Sequence, residues 1–210
     1  NEIWNDQFTQ GGFISHEGNS KFSPSNGSEF DRRLNRFGER TAQICTIWRE
    51  VFAASADRIQ CVMGGQAANT YIAEQALECP FSTLAPCRSH GITAIAIAPY
   101  VGDGIGLSNF ESTVEGWTLE SDGGLANLFE ELNNESVLIG AESGMPTVTS
   151  RIAFHKELAK QQGIELLAYE GGQHLVGVGG PANNKRLNDL FDAANRDPRM
   201  GTLYKNYFNT

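Results

Sequence analysis

The feature that most constrains this chain is the alternation of strand-like and helix-like segments along its length. Segments rich in β-forming residues cover Arg58–Met63, Ile92–Pro99 and Ile164–Glu170. Apolar residues at helical spacing predict helices over 30–53, Gly124–Leu132 and Asn184–Ala194. Helices are also predicted over Thr70–Leu77 before Pro80, over Thr147–Gln162 before Gly163, and over Leu203–Phe208. Strands that alternate with helices pair in parallel through right-handed crossovers. The pattern therefore predicts an α/β fold, either an open doubly wound sheet or a (β/α)8 barrel.

Side-chain parity within the second strand bears on the choice between these two folds. Along 92–100, Ala94, Ala96 and Ala98 share one face, and bulkier residues alternate with them on the other. Small residues on one face and bulky residues on the other are typical of a barrel strand, whose inner face is cramped and whose outer face contacts helices. Tyr100 falls on the small-residue face. The pattern therefore favours a barrel with Tyr100 pointing into its mouth.

Glu170 ends the third strand on the same parity as Leu166 and Ala168. A carboxylate on the buried parity at the C-terminal end of a strand lies where barrel enzymes hold their catalytic groups. Gly171 and Gly172 follow at once, and glycine lets a substrate approach the backbone closely. On these residues alone, a catalytic Glu170 and a charge in a solvated turn are equally good interpretations.

Length and composition limit the class of protein. A chain of 210 residues that is 40% hydrophobic is expected to form one domain, over 1–210, around one sizeable core. The sequence contains no run of about 18 apolar residues, so it predicts no membrane span. The net charge of −9 disfavours nucleic acid and is compatible with a neutral polysaccharide. No motif predicts a metal or a cofactor, and the glycines at 102–106 lack the dinucleotide-binding spacing. The glycine- and serine-rich residues 5–28 predict a long loop.

The four cysteines lack the paired short spacing of a zinc site. Cys79 and Cys87 flank a short loop, which suits a disulfide in an oxidising compartment. Cys45 falls in a helical pattern and Cys61 in a strand pattern, so we expect both to be buried free thiols.

Two short motifs resemble the active-site motifs of a known clan of enzymes. Asn1-Glu2-Ile3-Trp4-Asn5 resembles the fourth-strand motif of the retaining (β/α)8 glycoside hydrolases of clan A, and Tyr169-Glu170-Gly171-Gly172 resembles their seventh-strand motif. Two strand-like segments separate the motifs, which is the number that the clan requires. The pattern over Asn1–Phe8, Trp48–Gln66 and Leu167–Val176 is also similar to large secreted bacterial proteins labelled cellulose-binding.

The resemblance implies roles for particular residues. Glu2 would be the general acid/base and Glu170 the nucleophile. Asn1 would hold the 2-hydroxyl of the sugar, and Tyr100 would fall at the end of the sixth strand near the nucleophile. Trp4 would stack on a sugar ring or else pack in the core at the barrel rim.

Gln173 and His174 follow Glu170 closely. We expect them to line the substrate site, with loop packing as the alternative. In retaining glycosidases the two carboxyl groups lie close together, so we predict that the carboxyl oxygens of Glu2 and Glu170 are about 5–6 Å apart. We also predict that the Tyr100 hydroxyl lies within hydrogen-bond reach of Glu170.

The expected fold is a partial (β/α)8 TIM barrel, comprising its C-terminal half from the end of strand 4 onward. A complete barrel typically needs about 250 residues, so the remaining strands would come from a longer chain or from another chain. The expected function is hydrolysis of a polysaccharide or oligosaccharide with retention, by a secreted or extracellular protein. The alternative is a non-catalytic carbohydrate-binding or structural extracellular protein on the same scaffold.

Overall fold

The structure, a computed structural model, describes residues 2–210. Within them the strands are β1 (Val62–Gly64), β2 (Ala94–Ile97), β3 (Tyr100–Val101), β4 (Glu165–Ala168) and β5 (Gly172–Gln173). The helices are α1 (Thr9–Lys21), α2 (Glu29–Val51), α3 (Thr70–Glu78), α4 (Glu111–Trp117), α5 (Leu125–Asn134), α6 (Met145–Gln162), α7 (Lys185–Arg196) and α8 (Pro198–Phe208). The chain divides into two compact units. The first comprises the residues up to Ala98 together with Ala153–Tyr169, and the second comprises Pro99–Ile152 and Glu170–Thr210.

A three-stranded parallel sheet in the order β1-β2-β4 lies in the first unit. The register pairs Met63 with Ile95, and Ile95 with Leu166. The prediction that these three strands lie parallel and adjacent in chain order is therefore confirmed. All four residues of β2 are buried, as expected for the central strand of a parallel sheet that is covered on both faces.

The long helix α2 begins where the sequence provides a capping box. The Ser28 hydroxyl accepts a hydrogen bond from the Asp31 N–H, and the Asp31 carboxylate accepts one from the Ser28 N–H. The buried Cys45 of α2 packs in one cluster with residues of β1, β2, α3 and the last turns of α6. This cluster forms the core beside the sheet.

Helix α1 occupies much of the segment predicted to be a loop. Its sequence contains three glycines and no apolar stripe, so periodicity gave no helical signal. Packing against α2 compensates for this low propensity. A Cβ at Gly18 would overlap the Arg32 backbone, so glycine allows the two helices to approach closely. The Ser15 hydroxyl donates to the Glu29 carboxylate across the same contact, at 2.7 Å.

The second unit is mainly helical. Its strands β3 and β5 pair in parallel, with Tyr100 opposite Gly172. One apolar core holds the unit together, and its buried helical residues are Val114, Trp117, Leu128, Phe129, Leu132, Val148, Leu187, Leu190, Phe191, Ala194, Met200 and Leu203. The helices that the apolar spacing predicted at 124–132 and 184–194 are α5 and α7, and α4 was not predicted.

The predicted partial TIM barrel is wrong. Within residues 2–210 the structure is largely helical, and its five short strands form two small parallel sheets that do not close into a barrel. The segment 92–100 is not one strand, because β2 ends at Ile97 and β3 starts at Tyr100 after the Ala98-Pro99 step. The parity argument failed because a central strand covered on both faces accepts the same pattern of small and bulky residues.

Two disulfides lie in the first unit. Cys79–Cys87 is present, with the Cα atoms 5.7 Å apart. Cys45 and Cys61 are also bonded, with the Cα atoms 5.8 Å apart, so the expectation of free thiols was wrong. The reason is geometric, since Cys45 on α2 faces the residue just before β1 across the core. Two disulfides are compatible with an oxidising, extracellular environment.

Candidate active site

The Tyr100–Glu170 pair lies at the start of the small sheet of the second unit. The Tyr100 hydroxyl donates a hydrogen bond of 2.6 Å to Glu170 Oε1, which confirms the predicted contact. Glu170 is exposed, and its Oε2 accepts no hydrogen bond from the part of the chain that the structure describes. The Tyr100 phenol thus orients one of the two carboxylate oxygens.

The glycines after Glu170 lie against helix α8. A Cβ at Gly171 would overlap the Tyr207 hydroxyl, and a Cβ at Gly172 would lie 2.7 Å from the Tyr204 hydroxyl. Gly172 also has a φ of +112°, which side-chain-bearing residues rarely adopt. The Cβ side of both glycines is therefore occupied by tyrosines of α8, while Gly171 itself is exposed.

His174 and Gln173 both contribute to the structure of this segment. The His174 ring lies 5.1 Å from the Tyr100 ring between centroids, and its backbone N–H donates to the Val101 carbonyl at 2.7 Å. The Gln173 Oε1 accepts from the Leu175 N–H at 2.6 Å. His174 therefore lies beside the pair, whereas the Gln173 side chain caps its own turn. That either residue lines a substrate site stays a prediction. The His174 Nδ1 is buried and has no partner among the described residues.

Glu2 lies in the first unit and is held by two side chains. Its Oε1 accepts from the Tyr169 hydroxyl at 2.9 Å, and its Oε2 accepts from the Asn5 side-chain amide at 3.0 Å. Tyr169 immediately precedes Glu170 in the sequence. Asn1, the predicted ligand of the 2-hydroxyl, lies outside the described residues.

Trp4 packs against the small cluster of Ile3, Leu34 and Ile72 in the first unit. It is half-buried, so part of the indole contributes to the core of this unit. Part of the Trp4 ring therefore packs in a core. The stacking of its other face on a sugar ring stays a prediction.

The predicted site residues are distributed over both units. Glu2 and Trp4 belong to the first unit, and Tyr100, Glu170, Gln173 and His174 belong to the second. The predicted separation of about 5–6 Å between the Glu2 and Glu170 carboxyl oxygens stays a prediction.

Sequence reasoning missed four residues of these networks. Asn5 and Tyr169 hold Glu2, and Tyr204 and Tyr207 pack beside the glycines that follow Glu170. Tyr169 falls on the strand face opposite to Glu170, so side-chain parity did not assign it to the site. The spacing of Tyr204 and Tyr207 places them on one face of α8 but does not identify their target.

Within residues 2–210, no three His, Cys, Asp or Glu side chains are grouped so that they could hold a metal ion. The same residues include no helix that is both long enough and apolar enough to span a membrane.

Comparisons of the chain with models of known protein families, with curated proteins and with solved structures each find no match.

Proposed function

We propose that this protein is a retaining glycoside hydrolase, with Glu170 as its nucleophile and Glu2 as its acid/base. The observation that best supports the proposal is the 2.6 Å hydrogen bond from the Tyr100 hydroxyl to Glu170 Oε1. A nucleophilic carboxylate needs such a partner, because its attacking oxygen must be held in a fixed orientation.

As the nucleophile, Glu170 would act in a double displacement. One carboxylate oxygen attacks the anomeric carbon, the bond from that carbon to the leaving oxygen breaks, and a glycosyl ester forms on the enzyme. Water then displaces the carboxylate and gives a product with the original configuration. The Tyr100 hydroxyl would stabilise the carboxylate before attack and after release, and Oε2 would be the attacking atom.

Glu2 is assigned to acid/base chemistry by its Asn-Glu motif. It would protonate the leaving oxygen in the first step and deprotonate water in the second. Hydrogen bonds from Asn5 and Tyr169 engage both of its oxygens and favour one orientation of the carboxyl group. Such restraint suits a group that must deliver a proton to one atom.

The substrate class follows from charge, and the location from the disulfides. The net charge of −9 disfavours polyanionic substrates, so we propose a neutral polysaccharide or oligosaccharide. The disulfides favour a secreted or extracellular protein.

The test is hydrolysis of a panel of neutral polysaccharides and aryl glycosides, followed by NMR of the first product formed. We expect release of sugar with retained anomeric configuration, and loss of this activity in Glu170→Gln and Glu2→Gln. Glu165→Gln, which changes an exposed glutamate on β4, is the matched control and should stay active. Inversion of configuration would contradict the proposal. Binding of a polysaccharide without any hydrolysis would favour the carbohydrate-binding alternative.

A further inference from the structure

Helix α8 contacts the backbone on both sides of the Tyr100–Glu170 pair. The Tyr207 hydroxyl donates to the Pro99 carbonyl at 3.0 Å, and Pro99 immediately precedes Tyr100. The same hydroxyl lies so close to Gly171, which immediately follows Glu170, that a Cβ there would overlap it. One phenol therefore touches both chain segments that carry the pair.

A second tyrosine of α8 reinforces this arrangement. The Tyr204 hydroxyl accepts a hydrogen bond from the Gln173 N–H at 3.1 Å. Its ring lies 6.3 Å from the Tyr207 ring between centroids, in an edge-on arrangement. Burial raises the pKa of Tyr207, although the neighbouring Gly172 N–H opposes this effect. A phenol with an ordinary pKa of about 10 is already protonated at neutral pH, so the Tyr207 hydroxyl can donate there.

We propose that Tyr207 is a positioning residue that holds the Glu170 segment against the Tyr100 segment and so maintains the hydrogen bond between them. The catalytic role of Tyr207 rests on the function proposed above, whereas its structural role does not. Without the Tyr207 hydroxyl, the Pro99 carbonyl loses a donor and the space beside Gly171 opens. Backbone bonds flank Glu170, from the Tyr169 N–H to the Ile97 carbonyl and at the Tyr100–Gly172 pairing, but none includes Glu170 itself. We therefore expect the Tyr100 hydroxyl and the Glu170 carboxylate to lose their fixed separation.

Fluorine NMR tests the structural part. The protein has five tyrosines, so labelling with 3-fluorotyrosine gives five resonances, which Tyr→Phe variants assign. Glu170→Gln defines where the Tyr100 resonance lies when the carboxylate is lost. We expect Tyr207→Phe to move the Tyr100 resonance at least half of the way to that position. Tyr71→Phe, the same chemical change in the first unit, should leave it unmoved. A Tyr100 resonance that stays in place in Tyr207→Phe, or that moves elsewhere, overturns the proposal.

A suppressor experiment tests the contact with Gly171 independently of that resonance. Gly171→Ala should lower the Tm of the otherwise unchanged protein, because the new methyl group meets the Tyr207 hydroxyl. In a Tyr207→Phe background the same substitution should lower the Tm far less, because the overlapping oxygen is gone. Equal losses in the two backgrounds would show that Tyr207 does not occupy this space, and would overturn the proposal.

Kinetics on the substrate found by the hydrolysis screen test the catalytic part. We expect Tyr207→Phe to lower kcat about tenfold while KM changes by less than about twofold, since the variant disturbs the nucleophile rather than ground-state binding. An unchanged kcat together with a displaced Tyr100 resonance would show that Tyr207 positions the pair but does not contribute to catalysis. Absence of any hydrolysis by the unsubstituted protein would end the proposed function, while the NMR and Tm results would still decide whether Tyr207 positions the pair.

Discussion

At the scale of single residues, the candidate site depends on tyrosine hydroxyls directed at carboxylates. Tyr100 donates to Glu170, and Tyr169 donates to Glu2. A hydrogen bond to an ionised group is worth about 1.5–3 kcal/mol, more than a bond between neutral groups. Each phenol therefore affects both the orientation and the charge distribution of the carboxylate that it contacts.

Replacement of Tyr100 by Phe removes one such bond and leaves the ring in place. If the bond serves the nucleophile, the loss of about 1.5–3 kcal/mol corresponds to a fall in kcat of roughly 10- to 150-fold. Initial-rate kinetics on the identified substrate measure the change. Tyr71→Phe is the control, because Tyr71 donates to Asp31 in the first unit and has no part in the site. An unaltered kcat in Tyr100→Phe would remove Tyr100 from the mechanism.

His155 gives the first unit a stability that depends on pH. The residue is fully buried, and its Nε2–H donates to the Gln66 carbonyl at 3.0 Å. Burial lowers the pKa of His155, because the charged imidazolium would lose its solvation. Above the unfolded-state pKa of about 6.5, His155 is neutral in both the folded and the unfolded protein, so its contribution to the free energy of unfolding does not vary with pH. Below it, the unfolded state binds a proton that the folded state does not, so stability falls until the folded-state pKa is reached.

Urea unfolding at about pH 7 and about pH 5 measures this dependence. We expect the free energy of unfolding to fall with decreasing pH by up to about 1.4 kcal/mol per pH unit more in the unsubstituted protein than in His155→Gln. Parallel pH profiles for the two proteins would show that His155 does not stay neutral when folded.

At the scale of secondary-structure elements, glycines set the spacing between helices. A Cβ at Gly38 on α2 would overlap the carbonyl of Ala76 on α3, so the two helices approach at a distance that only glycine allows. Gly12 on α1, in contrast, is exposed and has open space around it. The two positions share a helical backbone and differ in their neighbours, so they form a matched pair.

Gly38→Ala should destabilise the protein by about 1–3 kcal/mol, because the helices must move apart. Gly12→Ala should stabilise it by up to about 1 kcal/mol, because alanine loses less backbone entropy in a helix. Denaturant unfolding of the two variants checks both signs. A Gly38→Ala protein as stable as Gly12→Ala would contradict the close contact between α2 and α3.

The elements also show how far the sequence determines the fold. Helices α2, α3, α5 and α7 could be predicted because each has an apolar stripe. Helix α6 lacks a clear stripe, and Gly163 after it supported its prediction. Helix α1 has no such stripe, and its existence depends on contacts with α2 that local pattern does not contain. The strand predicted over Ile92–Pro99 is shorter in the structure, because its ladder stops before Pro99, which has no N–H to donate. Periodicity alone does not indicate this end.

The candidate site was predictable only in part, for the same reason. Glu170 and Tyr100 follow neighbouring parallel segments, so their proximity follows from strand order. The contact between Tyr207 and Gly171 joins residues that the sequence does not relate, and it became apparent only from the structure.

At the scale of the whole molecule, the described chain consists of two compact units, both disulfides lie in the first, and no barrel forms. Cys45–Cys61 joins α2 to the residue before β1 and closes a loop of 16 residues. Closure of such a loop limits the unfolded chain and contributes about 3 kcal/mol in the loop-entropy description. The core of the first unit thus includes a covalent link between its longest helix and the residue that precedes β1.

Replacement of Cys45 and Cys61 by Ala should therefore lower the free energy of unfolding by about 2–4 kcal/mol. Denaturant unfolding followed by far-UV circular dichroism measures this loss. Addition of a reducing agent should lower the denaturant midpoint of the unsubstituted protein but affect the Cys45→Ala/Cys61→Ala variant less, because only Cys79–Cys87 remains in it. A midpoint unaffected by reduction would show that neither bond contributes to stability.

The central claim is that Glu170 is a nucleophile, and the activity of Glu170→Ala with and without azide tests it most directly. We expect turnover by Glu170→Ala to fall by at least about 10⁴-fold, because the alanine side chain cannot form the glycosyl ester. Azide should enter the space left by the carboxylate and attack the anomeric carbon. Activity should then be partly restored, and the product should be a glycosyl azide of opposite anomeric configuration to the substrate. Full activity of Glu170→Ala without azide would contradict the claim.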